Sequence, residues 1–166
     1  MADVSTEIAI ATTTLGSAAS SITFSSIPST YTDLRIVLVA LGATATIYPH
    51  IGFNADTGTN YSQTGIRGNG STADTSTGIN ANYLEWSYAV PSTTIQAFDT
   101  IDIFSYAGST YKTCLLTASA DKNGSGVVER AVGLWRSTSA ITSIKLDNYA
   151  TANFAAGTTA TLYGIL

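Results

Sequence analysis

The chain has 166 residues, 45% of them hydrophobic and only 11% charged, with seven Lys and Arg against eleven Asp and Glu for a formal net charge of -4. That length and apolar content suit a single domain, 1–166, with a substantial core, and a pI near 4.6 argues against a sequence-independent nucleic-acid binder. Twenty-seven Thr and nineteen Ser stand in for the missing charges; exposed strand faces accept Thr whereas long helices want Glu, Lys and Arg, so a helical protein is excluded and an all-β one is expected.

Period-two stretches bounded by turn residues recur along the chain. Residues 4–14 place Val4, Ile8 and Ile10 on one face, and Ile22 and Phe24 alternate in the next run, which ends at a turn around Pro28. Residues 34–41 alternate Leu34, Ile36 and Leu38 against Arg35, Val37 and Val39, which predicts a central core strand. Residues 46–53 continue as an irregular strand carrying Pro49 and His50. Residues 54–82 are rich in Gly, Asn, Ser and Thr and read as a long loop or weakly specified insertion, the usual seat of binding specificity. Residues 83–89 are compatible with a strand or a short helix closed by Pro91.

Further strands are predicted over 98–106, 111–120, 127–136, 141–149 and 158–166, the last lying inside a sheet. Asn123-Gly124 supplies the positive-φ residues of a tight hairpin turn between two of them. Nine or ten strands without a crossover helix predict an antiparallel two-sheet β-sandwich of the jelly-roll kind. Cys114 sits in an apolar run and reads as a buried thiol, so no internal disulfide is expected. The N-terminus has no basic region followed by an apolar one, and residues 36–41, the most apolar run, are far too short to span a bilayer, so neither a secretory precursor nor membrane attachment is expected.

Candidate chemistry is sparse. His50 is the one histidine through which any Ser-His or Cys-His scheme would pass, and its apolar neighbours favour a structural role. Asp56-Thr57-Gly58 matches the aspartic-protease triplet but lies in a polar run and has no second copy, so a turn is expected there. Asn54, Asp56 and Asn60 echo an oxygen-rich calcium loop without its closing acidic residue. Asp99 and Asp102 fall on opposite faces of one strand and make no acid-base pair. With no cofactor or metal site indicated, a non-enzymatic protein is expected. Trp135, Tyr111 and Tyr163 are expected in packing roles, whereas Tyr61, Tyr83, Trp86 and Tyr88, in the polar middle region, are the candidates for contact with a partner.

Four segments carry a resemblance: residues 21–34, with Ile27-Pro28, Tyr31 and Leu34; residues 53–62, with Phe53-Asn54-Ala55-Asp56-Thr57-Gly58; Tyr111-Lys112-Thr113; and residues 155–165, with Leu162-Tyr163-Gly164-Ile165. Together they resemble a family of small β-rich structural proteins of phage virions, including those of cyanophages. The resemblance implies a virion component made in the host cytoplasm. Its leading form is a homo-oligomeric capsid decoration (cement) protein, expected as a trimer, bound to the major capsid protein; the alternative is a tail-fibre or tailspike module that binds host glycan. Residues 1–14 lie outside the resemblance and are a candidate docking arm or swapped strand.

Overall fold

A computed structural model describes residues 6–43, 47–85, 91–149 and 152–166, all in strands, turns and loops. Twelve strands follow one another: β1 (Glu7–Thr14), β2 (Ile22–Phe24), β3 (Asp33–Ala40), β4 (Tyr48–Phe53), β5 (Tyr61–Gly68), β6 (Ala73–Ala81), β7 (Leu84–Glu85), β8 (Ala97–Ile103), β9 (Lys112–Ala120), β10 (Val127–Trp135), β11 (Ile144–Tyr149) and β12 (Thr159–Ile165). They form two antiparallel sheets, one of eight strands in the order β1-β12-β3-β8-β9-β10-β5-β6 and one of four in the order β2-β11-β4-β7. The all-β expectation holds, with twelve strands instead of nine or ten and an eight-plus-four division, where a jelly roll uses eight strands in all.

Alternation dictates the core. In β3 the side chains of Leu34, Ile36, Leu38 and Ala40 are buried while Arg35, Val37 and Val39 are half-covered on the other face. β9 turns Cys114, Leu116, Ala118 and Ala120 inward in the same way. The small sheet lays Ile22, Phe24, Ile51, Phe53, Ile144 and Leu146 over these residues in one apolar cluster. A fully buried aliphatic or Phe side chain contributes about 1.5–3 kcal/mol relative to exposure, so this shared layer holds the two sheets together. Its contacts are tight at glycine: a Cβ on Gly164 of β12 would stand 2.3 Å from the Tyr31 ring, and one on Gly133 of β10 would stand 2.7 Å from Leu84.

The largest correction falls in residues 54–82, which are mostly a hairpin, β5 and β6, and not a loop. Its pleat is carried by Thr, Ser and Gly, so the period of two leaves almost no hydrophobic trace. Residues 7–14, expected as part of a docking arm or swapped strand, pair along β12 of the same chain, with a bulge between Ala9 and Ala11. The first five residues lie outside the described residues. The β9–β10 turn has left-handed Asn123 (φ 58°) and Gly124 (φ 87°), as the dipeptide predicts.

Candidate functional site

The motif around Asp56 is structural. Asn54 and Ala55 both adopt left-handed φ values, 52° and 55°, and the Asp56 N–H donates to the Phe53 carbonyl at 2.9 Å, closing a tight turn. Left-handed backbone costs an alanine roughly 1–2 kcal/mol, and side-chain bonds offset it. Asn54 Oδ1 accepts the N–H groups of Thr142 (2.8 Å) and Ser143 (3.1 Å), and its Nδ2 donates to the Ala140 carbonyl. Asp56 accepts the Gly58 N–H at 2.8 Å, the Asn60 amide at 2.9 Å and the Trp135 indole Nε1–H at 2.7 Å. Despite some desolvation, these donors hold the Asp56 carboxyl below its ordinary range. The Asn54 and Asp56 oxygens offered for calcium, the latter also the carboxylate offered for a protease, are therefore occupied by N–H donors. Among the described residues no group of three or more His, Cys, Asp and Glu is placed to hold a metal ion.

Tyr61, a candidate for partner contact, is fully buried. It opens β5 on the inward face, its ring packs against Trp135 and Phe53, and its hydroxyl accepts the Phe53 N–H at 3.0 Å; burial pushes its pKa up to about 12. It is corrected to a core residue. Trp86 and Tyr88 lie outside the described residues. Of the aromatics expected in packing roles, Trp135 is in the core, Tyr163 is half-buried, and Tyr111 is instead 54% exposed.

Tyr83 does line a site, on the outward face of the small sheet. Register places His50 of β4 between Asp147 of β11 and Glu85 of β7, Lys145 opposite Gly52, and Tyr149 opposite Tyr48. The Tyr83 ring stacks on His50 with centroids 4.0 Å apart and planes 16° from parallel. His50 Nε2 contacts the Asp147 carboxylate, and Lys145 pairs with the other carboxylate oxygen. A cleft of about 240 Å³ opens here, bordered by His50, Asp56, Asn82, Tyr83, Lys145 and Asp147.

Burial lowers the His50 pKa more than the Asp147 charge raises it, and Lys145 lowers it further, so the imidazole is neutral at pH 7. Its Nδ1 is buried without a hydrogen-bond partner among the described residues. Burial also raises Glu85 and Tyr83, with the Glu85 charge adding to the latter. The arrangement offers flat aromatic surface, an amide and paired charges at one opening, a combination suited to holding a polar ligand.

Sequence reasoning passed over Tyr48, Lys145, Asp147 and Tyr149. The usable signal is their spacing: 48, 50, 52 and 145, 147, 149 form a non-aliphatic alternate set on each strand, although which strands pair cannot be read from either. Register also aligns Asp99, Ala118, Glu129, Arg67 and Asp74 across the inward face of the large sheet, with Asp99 and Glu129 buried and Arg67 bonded to Asp74 at 2.6 Å. Asp102 is on the opposite face from Asp99, as predicted, bonded to Arg35 at 2.6 Å. No protein-family profile, curated protein or solved structure matches the chain.

Proposed function

We propose that this protein is a non-enzymatic structural component of a phage particle, a capsid decoration (cement) protein that binds the outer shell and bridges major capsid subunits. The observation that carries the reading is the outward face of the eight-stranded sheet. Phe98, Val128, Val132 and Ile66 are 47–64% exposed there, among outward Thr12, Thr14, Thr100, Thr117, Thr159 and Thr161. Its charges are few, and Arg35 pairs with both Glu7 and Asp102. Seven inter-strand spacings and about seven residues of strand give roughly 800 Å², the share one partner brings to an interface of standard size. A neutral, hydrogen-bonding face also makes contacts that salt screens little. The virion resemblance of the sequence supports the same reading, and on it the domain is a β-sandwich of jelly-roll type widened by added strands.

Immunogold labelling of intact particles tests it: label spread over the head is the expected result, and label confined to the tail overturns it in favour of an adhesion module. That second reading is favoured by the tyrosines and paired charges of the small-sheet face, which suit a host-surface glycan.

A further inference from the structure

The two sheets have four edge strands among the described residues, and two of them, β1 and β2, carry a feature that discourages pairing with another chain. β2 is three residues long, and β1 is interrupted by its bulge and bears Glu7; of β7, Leu84–Glu85 are described. β6 is different. It runs nine residues, Ala73–Ala81, without Lys, Arg or Pro; its own register shift, at left-handed Asn80, falls at the far end, and its ladder with β5 is regular from Ala73 to Gly78. Its one charged residue, Asp74, is neutralised by Arg67 within the same hairpin.

The hydrogen-bonding phase of this edge can be assigned. The Asn69 N–H donates to the Thr72 carbonyl at 3.2 Å where the hairpin closes. Antiparallel ladders alternate, so Arg67/Asp74 and Gly65/Ser76 are the hydrogen-bonded pairs, and the N–H and C=O groups of Thr75 and Thr77 point away from β5. No described strand lies on that side.

We infer that β6 pairs antiparallel with β6 of a second copy about a two-fold axis, making one continuous sheet across the dimer. The strand is self-complementary. With Ser76 on the axis, Thr75 faces Thr77 of the partner subunit, and the outward N–H and C=O groups of each meet those of the other. Asp74 then faces Gly78 of the partner subunit, so the two Asp74 carboxylates are not opposed, as like charges across strands would be at a cost. Facing threonines already join neighbouring strands elsewhere in this sheet: the hydroxyls of Thr12 and Thr161, and of Thr14 and Thr159, bond at 3.1 Å. Head-to-tail pairing of β6 with β1, the route to a ring such as a trimer, would set the regular Ala73–Gly78 stretch against an edge whose register shifts mid-strand, between Ala9 and Ala11. The inference stands apart from the particle role, since it rests on β6 alone.

The test is the mass of the full chain in solution across a concentration series, by light scattering and native mass spectrometry, with Thr77→Pro as the variant. Proline removes an outward N–H and leaves the β5 ladder bonds intact. The expected result is a wild-type dimer and a monomeric Thr77→Pro with unchanged far-UV circular dichroism. If that variant fails to fold, amide exchange of the wild-type protein decides: Thr75 and Thr77 should exchange about a hundredfold more slowly in the dimer than after dilution, because ladder bonds protect amides until they open. A monomer at every concentration, a trimer, a dimer that survives Thr77→Pro, or fast exchange at both amides in a dimer would each overturn the inference.

Discussion

The outward faces of the two sheets stand on one core yet differ in kind. The large sheet shows threonine and aliphatic side chains over eight strands with few charges among them, Arg35 paired with Glu7 and Asp102 and Arg130 exposed. The small sheet concentrates His50, Asp147, Lys145, Glu85 and the tyrosines 48, 83 and 149 around one cleft. A wide neutral face suits extended contact with a protein surface, where shape and hydrogen bonds count for more than charge. A small aromatic and ionic cleft suits a compact polar ligand. The two faces therefore suit different partners, and the question becomes which side is in use.

The strongest way to break the comparison is through the core that both faces share. Trp135→Ala removes a buried ring stacked on Tyr61 and tilted against Phe53, together with the indole bond to Asp56. It should cost about 3–5 kcal/mol, and thermal unfolding followed by near-UV and far-UV signals should show both sheets lost in one transition. Two separate transitions would mean that the faces belong to units of independent stability.

Surface changes should then separate the faces. Phe98→Lys with Val132→Lys places charge on the neutral face, where both residues are about half exposed. Surface substitutions of this kind usually change stability by about 0.5 kcal/mol or less each, so the melting temperature should move little while retention on purified particles falls severalfold. Tyr83→Ala with Tyr149→Ala should leave retention intact and reduce cell or glycan binding only if the small-sheet cleft is the working side.

The smallest expected effect is a pH dependence. A histidine whose folded pKa lies below its unfolded value of 6.5 binds fewer protons when folded, so its contribution is fully present above pH 6.5 and declines as pH falls toward the folded value. Asp56, held low by its donors, keeps its contribution to still lower pH. Denaturant titrations between pH 7 and pH 5 should show stability declining in the wild type and a flatter response in His50→Gln. An unchanged slope would place the sensitive group elsewhere, with Glu85, Lys145 and Asp147 as the neighbouring titratable groups.

Much of this architecture was legible wherever aliphatic residues carried the strand period. β3 could be read from Leu34, Ile36 and Leu38 at alternate positions, β9 and β12 as apolar-containing runs between turn residues, and the β9–β10 turn from Asn123-Gly124. The β5–β6 hairpin was hidden because its large aliphatic residues, Ile66 and Ile79, face solvent, leaving no apolar stripe to mark the inward face. The segments that resemble virion proteins also acquire physical reasons. Tyr106 fastens the Pro28 turn, Tyr31 lies across Gly164, and Lys112 caps the carbonyls of Gly108 and Thr110. The cleft was less legible, since His50 and Asp147 meet only through strand pairing across nearly a hundred residues.

Cys114 is fully enclosed in β9, and burial pushes its thiol pKa well above the ordinary value. Thiolate is the reactive form, so this sulfur is chemically silent under mild conditions. The native chain is thus a ready background for site-selective labelling. A single cysteine introduced on either outward face, or beside the β6 edge, would take a dye or spin label alone and report distances between copies without any prior mutation of the natural residue.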